Sequence, residues 1–190
     1  MEKLQWFGVL MLTFIIMEFM AWFSHKYIMH GFLWVLHKDH HKKDHKSWFE
    51  RNDLFFIFYA IVSSGFVVLW GEFNFWAGLP IGIGIFIYGM TYFLVHDIFI
   101  HQRFKIFRTA NNRYAKAVRR AHKIHHKHLG KEDGECFGML WVPMKYFKSW
   151  LFLSPIVFEI TLIEIFTQTD IGHINLFFHP TLDGLQFLFF

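Results

Sequence analysis

The chain contains one cysteine, Cys136, among 190 residues. A single thiol excludes an internal disulfide, and without a CxxC pair the usual cysteine ligands of zinc and iron–sulfur sites are missing. The sequence also has neither the HExxH motif of zinc proteases nor a GxGxxG dinucleotide-binding motif. We interpret Cys136 as a free structural thiol. Any flavin, haem or nicotinamide chemistry would have to come from another protein.

Charged residues are scarce in four long apolar stretches of a chain that is 54% hydrophobic and 22% aromatic. A soluble domain of this size usually carries less apolar sequence, so the excess indicates a lipid environment. Three stretches are long enough to cross a hydrocarbon core of about 30 Å as helices. The fourth is interrupted by Pro155 and two acids, and its assignment stays open. The stretches are, in order, Trp6–Phe23, Leu54–Trp70, Leu79–Val95 and Trp150–Phe166.

Lysine and arginine are concentrated in two segments of the chain. Of 19 such residues, six lie in residues 25–51 and twelve in residues 101–148, whereas the connection Gly71–Gly78 has none. Because basic segments beside membrane helices stay in the cytoplasm, we expect the second and third stretches to form a hairpin with an external turn. Charge that follows membrane segments favours contact with lipid headgroups and argues against nucleic-acid binding. Close helix packing is expected at Gly78, Gly82, Gly84 and Gly89.

Ten of the 14 histidines fall into a pattern that occurs twice. Each copy has an H-x4-H pair where a predicted membrane helix ends and an H-x2-H-H triplet further along the chain. The first histidine set is His25, His30, His37, His40 and His41. The second histidine set is His96, His101, His122, His125 and His126. The other histidines, which we leave out of the predicted site, are His45, His128, His173 and His179.

The spacing of the triplets is typical of a metal site, because positions i, i+3 and i+4 lie on one face of an α-helix. The pairs are less clear, since positions i and i+5 lie about 140° apart on a regular helix. Either the two members of a pair point in different directions, or one of them lies where the helix ends. The sequence leaves both possibilities open.

Ten imidazoles on one membrane face indicate metal binding rather than packing. So many neutral bases near lipid would lose their hydration without compensation unless a cation binds them. Two divalent ions with five imidazoles each would satisfy all ten and leave one octahedral position open on each ion. Imidazole binds iron, zinc, copper and nickel, so the ligand type does not identify the metal.

Four blocks of the sequence resemble those of the bacterial beta-carotene 3-hydroxylases, within the fatty acid hydroxylase and sterol desaturase superfamily. The blocks are HKYIMHGFLWVLHKDHH from His25, NDL from Asn52, YFLVHDIFIHQRF from Tyr92 and AHKIHHKHLGKEDGECFGML from Ala121. The resemblance covers roughly residues 18–147. It predicts a membrane-embedded domain in residues 1–148, located in the bacterial inner membrane, and leaves residues 149–190 as an unassigned hydrophobic extension.

The resemblance implies a non-haem di-iron monooxygenase with O2 as co-substrate and all ten histidines of the two sets as iron ligands. It also implies hydroxylation at C3 of each beta-ionone ring, which converts beta-carotene into beta-cryptoxanthin and then zeaxanthin. The carotenoid would enter from the bilayer. Electrons would come from an external donor such as ferredoxin with its reductase, and a basic surface in residues 103–131 would suit an acidic donor.

Polar residues beside the histidines are candidates to orient them. Metal-bound imidazoles usually donate their second ring N–H to a carboxylate or a carbonyl. Asp97 and Asp39 lie next to histidines of the two sets, and Asn52 and Asp53 precede an apolar run. The last two are equally good candidates for a helix N-cap.

Two other functions would use the same histidines. One is another oxidation by this superfamily, such as fatty acid or sterol hydroxylation or desaturation. The other is a non-enzymatic membrane metal carrier, which should place ionisable groups along its membrane path. Residues 54–95 contain only Glu72, in the predicted turn, which argues against a carrier. The sequence therefore predicts an all-α integral membrane helical bundle with a cytoplasmic, histidine-rich di-metal site.

Overall fold

The computed structural model describes residues 2–42, 47–106, 110 and 112–147, and these residues form helices and turns without a β-strand. The all-α prediction is confirmed for this part of the chain. The α-helices are α1 (Glu2–Phe23), α2 (Trp34–His41), α3 (Asp53–Phe73), α4 (Gly78–Tyr92) and α5 (Arg113–His125). Two π-helical segments, Ser24–Phe32 and Phe93–Ile100, continue α1 and α4, and a 3₁₀ turn spans Met144–Tyr146. Outside the described residues lie His45, His173, His179 and the stretch Trp150–Phe166.

Three helical stretches are long and apolar enough to cross a membrane, namely Lys3–Phe32, Asp53–Phe73 and Gly78–Ile100. The first and third include the π-helical segments, so they are longer than the sequence predicts. Along α3 only Ser63 is buried, and large apolar side chains such as Phe58 and Ile61 are exposed. An exposed apolar surface of this extent needs a lipid environment, in agreement with a membrane protein.

Small residues let α4 pack closely against its two neighbours. A Cβ atom at Gly82 would lie 2.9 Å from the backbone oxygen of Ser63 in α3, and one at Gly84 would lie 2.8 Å from the Cβ of Thr13 in α1. Gly89 differs, because a Cβ there would meet its nearest neighbour at 3.8 Å, an ordinary contact. The predicted role in close packing is confirmed at Gly82 and Gly84, and also at Gly78, where a Cβ would collide with the backbone oxygen of Phe66; it does not extend to Gly89.

All elements that carry histidines meet at one end of the bundle. Helices α1 and α4 run in the same direction, since Thr13 faces Gly84 and Met17 packs with Tyr88 one turn later. Helix α3 returns between them in the chain and is joined to α4 by a turn that contains Asn74. Two crossings therefore separate the two histidine sets, and both sets reach the same end, as the sequence predicts.

Candidate metal centre

Three of the four histidines of the H-x4-H pairs lie on the π-helical segments, and the fourth, His101, directly follows the end of the second segment. In a π-helix the backbone hydrogen bonds join residues i and i+5, and the N–H of His101 donates to the carbonyl of His96 at 2.9 Å. Residues five apart therefore share a face. The ring centroids of His25 and His30 are 5.1 Å apart, and those of His96 and His101 are 4.6 Å apart. The two histidines of each pair therefore do not point in different directions, because the backbone between them is π-helical rather than α-helical.

Both triplets lie at the C-terminal ends of short helices, in α2 and α5. Helix α5 begins at an N-cap, Asn112, whose side chain accepts the N–H of Ala115 at 2.7 Å. Its small buried residues, among them Ala117 and Ala121, let it pack closely on the protein. The triplet histidines at its end thereby point into the bundle, as i, i+3, i+4 spacing predicts.

The histidines form two clusters. Within each cluster, the nitrogen ligand atoms lie within 4.8 Å of one another. The first cluster comprises His25, His30, His37, His41 and His125. The second cluster comprises His40, His101, His122 and His126. His96 lies against the second cluster, with its ring centroid 4.6 Å from those of His40 and His101. All ten predicted positions are therefore brought together, whereas His128 is exposed and lies in neither cluster.

The two histidine sets exchange one member each. His40 belongs to the first set by sequence but lies in the second cluster, and His125 belongs to the second set but lies in the first cluster. Both are the middle histidine of their triplet, so the exchange preserves the equivalence of the two halves. Neither half of the chain can complete a cluster without the other. The repeated motif therefore builds one centre rather than two separate ones.

Nitrogen lone pairs face each other inside the first cluster. The Nδ1 atoms of His30 and His125 lie 3.0 Å from the backbone oxygens of Leu129 and Glu135. A carbonyl only accepts, so each Nδ1 carries the hydrogen, and each neutral ring has an unprotonated Nε2. These two Nε2 atoms are 3.2 Å apart. With no proton between them, they repel each other unless a cation binds both.

The same arrangement recurs elsewhere in the centre. The Nε2 atoms of His25 and His37 are 3.0 Å apart, while their Nδ1 atoms contact the Phe137 oxygen at 2.9 Å and Asn52 Oδ1 at 2.7 Å. In and beside the second cluster, buried ring nitrogens without a hydrogen-bond partner include the Nε2 atoms of His40, His96 and His126. Buried imidazole nitrogens that converge without hydrogen bonds fit divalent metal ions, and imidazole suits iron among them.

Burial keeps the triplet histidines neutral, as metal ligands must be. Desolvation, followed by the repulsion of neighbouring histidines, lowers the pKa of His40 and His122 well below the ordinary value. Desolvation also lowers the pKa of His125 to about 3 and that of His126 to about 4. At pH 7 these rings are therefore unprotonated, and each has a lone pair for a metal.

Carboxylates surround the second cluster. Glu50 Oε2 lies 2.9 Å from Nδ1 of His40, and Asp97 Oδ2 lies 3.2 Å from Nδ1 of His96. The guanidinium of Arg103 joins these acids, with Nη2 3.0 Å from Glu50 Oε2 and Nε 3.1 Å from Asp97 Oδ1. Burial raises the pKa of Glu50, and Arg103 opposes that shift. The group fixes the outer sides of the rings.

A half-buried glutamate in α1, Glu18, anchors the loop that contacts the first cluster. Glu18 Oε1 accepts the backbone N–H groups of Met139, Leu140 and Trp141 at 3.0, 2.9 and 2.9 Å. Its Oε2 accepts the hydroxyl hydrogen of Tyr88 at 2.7 Å. The same loop supplies the backbone oxygens that orient the first cluster. Glu18 thus holds the loop in place at the end of the bundle.

The four polar residues predicted to orient histidines have different contacts. Asp97 and Asn52 contact histidine rings, and Asn52 has no side-chain capping bond to α3. Asp53 pairs with Arg103 at 2.8 Å. Asp39 accepts the N–H of Arg51 at 2.7 Å. All four residues therefore lie close to the centre, but only Asp97 and Asn52 contact a histidine ring in the described part of the chain.

Sequence reasoning missed Glu50, Arg103 and Glu18. Glu18 had a signal, since it is the only acid in the first apolar stretch, and ionisable groups within membrane helices usually have a specific partner. Glu50 and Arg103 had no such signal in the sequence, because neither lies at a helical spacing from the histidine that it helps to orient. The backbone oxygens of the loop leave no trace in a sequence at all.

A small cleft of mainly apolar side chains reaches the second cluster at His122. Its walls include Ile100, Val118, Met139 and Val142. Trp141, which is 82% exposed, lies at the same cleft. The cleft has room for about one water molecule, so a larger apolar group would enter only if these side chains moved apart.

Comparisons with known proteins agree with this centre. A family model described as fatty acid hydroxylase matches residues 10–149. The chain is 39% identical to a beta-carotene hydroxylase of Pantoea ananas over 135 residues, which cover 71% of this chain and 76% of that protein. For a beta-carotene hydroxylase of Paracoccus sp. strain N81106, the identity is 33% over 141 residues, covering 72% and 84%. For the chloroplastic beta-carotene 3-hydroxylase 2 of Arabidopsis thaliana, it is 37% over 133 residues, covering 67% and 42%. No solved structure matches the chain.

Proposed function

Since this chain belongs to the fatty acid hydroxylase family, we propose that it is a beta-carotene 3-hydroxylase that inserts an oxygen atom at C3 of each beta-ionone ring. It converts beta-carotene into beta-cryptoxanthin and then zeaxanthin. The named relatives support the carotenoid substrate, and the histidine clusters support a metal-dependent oxidation. We assign the activity to residues 1–148 and no role to residues 149–190.

The observation that carries this proposal is the pair of unprotonated Nε2 atoms of His30 and His125, 3.2 Å apart. A packed core or a proton relay would place a hydrogen between two such nitrogens, whereas a metal centre needs both lone pairs free. The ten histidines would hold two iron ions. Iron bound by imidazoles supplies the activation of O2 that hydroxylation requires.

The residues of this chain prepare the centre for that chemistry. Backbone oxygens of Leu129 and Glu135 hold the Nδ1 hydrogens of His30 and His125, which fixes each ring with its Nε2 directed inward. Buried neighbours such as Phe137 and Ala121 keep bulk water away. Rigid, dry surroundings favour oxidation of the substrate over loss of the oxidant to water.

The substrate is expected to arrive sideways from the bilayer, because its hydrocarbon chain has no stable place in water. The cleft lined by Ile100, Met139 and Val142 ends at His122 and is apolar, but it has room for only about one water molecule. We assign it as the ring entrance on the expectation that its walls move apart when the ring enters. The three membrane-crossing stretches would place this entrance at the boundary between hydrocarbon and cytoplasm, since both histidine sets lie at the same end.

Each hydroxylation consumes one O2, two electrons and two protons and releases one water, so an external electron donor is needed. Helix α5 offers a surface for it. Basic residues recur on its outer side at a spacing of three and four, which is one face of a helix. These are Arg113, Lys116, Arg120 and Lys123. An acidic carrier such as ferredoxin would fit this basic stripe. The histidines lie on the inner side of the same helix, so the stripe is one helix diameter away from them.

Expression in cells that accumulate beta-carotene, followed by chromatography of the pigments, tests the proposal. We expect beta-cryptoxanthin and zeaxanthin from the natural chain and neither from a His37→Ala variant present at the same level in the membrane. Unchanged beta-carotene together with new fatty acid or sterol products would favour another oxidation of the same superfamily. No oxidised lipid, with metal uptake across the membrane, would favour a carrier.

A further inference from the structure

The exchanged histidines His40 and His125 occupy equivalent places in the two halves of the centre, but their outer nitrogens have different partners. Nδ1 of His40 donates to the carboxylate of Glu50 at 2.9 Å. Nδ1 of His125 donates to the backbone oxygen of Glu135 at 3.0 Å. The side chain of Glu135 turns away and pairs with Tyr146 and Lys145. The symmetry of the histidines is therefore broken by their surroundings.

The difference extends beyond this pair of histidines. Four of the five members of the first cluster have Nδ1 against a neutral oxygen, of Phe137, Leu129, Glu135 or Asn52. Beside the second cluster, carboxylates contact Nδ1 of His40, which is a member, and of His96, which lies against it; they belong to Glu50 and Asp97. Arg103 pairs with both acids and with Asp53. Three carboxylates and one guanidinium leave an excess of negative charge beside the second cluster.

We infer that the two metal positions are inequivalent and that the second cluster binds its divalent cation more tightly than the first. This inference rests on the proposed two-metal centre and goes beyond it by ranking the positions. Glu50 acts as a positioning residue, through His40, and does not touch the metal.

Two physical effects work in the same direction. An imidazole whose N–H is held by a carboxylate is a stronger donor than one whose N–H is held by a carbonyl, because the carboxylate draws the hydrogen towards itself. The excess negative charge also attracts a cation directly, and burial strengthens that attraction by limiting the screening by water. Arg103 offsets part of the charge and keeps the acids in place. It does not cancel it, since Glu50, Asp97 and Asp53 all contact it.

The test is a competition on the full chain, loaded anaerobically with ferrous iron in lipid nanodiscs. A chelator series removes the iron, and the iron that stays bound is measured by mass spectrometry. We expect two steps of one iron each. Two steps alone do not decide the matter, because two cations held close together repel each other even at identical positions. The variants assign the steps.

Glu50→Gln keeps an oxygen near Nδ1 of His40 but removes the negative charge. It should move the tighter step to about 10–100-fold lower chelator concentration and leave the weaker step in place. Asn52→Asp places a carboxylate beside Nδ1 of His37 in the first cluster. It should move the weaker release step to higher chelator concentration. The matched control is Glu135→Gln, because that side chain contacts Tyr146 and Lys145 while its backbone oxygen holds His125.

The outcomes separate this inference from the proposed function. A chain that retains one iron or none after loading would contradict the two-metal centre itself. If two irons bind but Glu50→Gln shifts both release steps, the two positions are not inequivalent and the centre itself stands. The same conclusion follows if the control Glu135→Gln shifts both steps. If Glu50→Gln failed to insert, Asn52→Asp would still decide, since an unchanged weaker step there also overturns the inference.

Discussion

His41 and His126 stack on each other, with ring centroids 4.3 Å apart and ring planes 21° apart. Each is the last histidine of its triplet. His41 belongs to the first cluster and His126 to the second, so the two clusters touch at equivalent positions of the repeated motif. The two groups of histidines that would hold the metal ions are therefore in direct contact.

Alanine at any of the ten clustered histidines should remove hydroxylated product. Loss of an outer contact alone typically reduces metal affinity or activity about 10–100-fold, and loss of a ligand should cost at least as much. The ten variants are compared by chromatography of pigments from cells that accumulate beta-carotene. The control is His128→Ala, since His128 is exposed and lies in neither cluster. Full activity in several variants of one cluster would contradict a shared centre.

Glu18→Gln should loosen the loop that orients the first cluster. Hydrogen bonds to a charged acceptor contribute about 1.5–3 kcal/mol each, and Glu18 accepts three from the backbone of Met139, Leu140 and Trp141. Faster hydrogen exchange at these three amides and a lower iron content are expected. Glu72→Gln is the control, because Glu72 is exposed at the end of α3. Equal exchange in both variants would mean that Glu18 does not anchor the loop.

Charge reversal on the outer side of α5 should weaken docking of an acidic electron donor. With Lys116→Glu and Lys123→Glu combined, turnover with reduced ferredoxin should fall and should depend less on salt. Lys105→Glu, at an exposed position outside α5, serves as the control. Arg119 is unsuitable for this test, because its guanidinium lies over the ring of Phe99 at 4.1 Å. If the salt dependence were unchanged, the basic stripe would not dock the donor, and its role would be contact with lipid headgroups.

Gly82→Ala should destabilise the α3–α4 hairpin, whereas Gly89→Ala should be tolerated. The added Cβ at Gly82 would lie 2.9 Å from the backbone oxygen of Ser63, while that at Gly89 would meet Phe56 at 3.8 Å. Overpacking of this kind costs about 1–3 kcal/mol. Thermal unfolding of both variants in the same detergent gives the comparison. Similar midpoints would show that α3 and α4 have room to separate.

The metal-free protein should lose stability when the pH falls below about 6.5, the ordinary pKa of histidine. The folded chain lowers the pKa of His125 to about 3 and that of His126 to about 4. Between those values and the ordinary one, the unfolded chain binds more protons, so acid favours unfolding. Unfolding midpoints measured between pH 8 and 5 should therefore fall for the metal-free protein, and at least as much for the iron-loaded one, because metal-bound rings take up no proton while the unfolded chain does. A flat profile without metal would contradict the lowered pKa values.

The sequence by itself determined the class of the molecule and which histidines lie together. Apolar stretches of membrane length predict helices, and the structure has them, because a backbone in lipid must satisfy its hydrogen bonds within the segment. The doubled histidine motif indicated one centre, and spacing of i, i+3 and i+4 predicted that each triplet shares a face. These conclusions depend on local periodicity, which a sequence contains in full.

Only the tertiary structure decided how the histidines are shared and oriented. The pitch of the π-helical segments depends on packing, so the convergence of His25 with His30 was open from the sequence. The exchange of His40 and His125 between the clusters depends on where α2 and α5 meet. The partners of the ring N–H groups are set by contacts between residues far apart in the chain, such as Phe137 with His25, 112 positions away. Such contacts leave no periodic signal, because three-dimensional packing alone brings the two residues together.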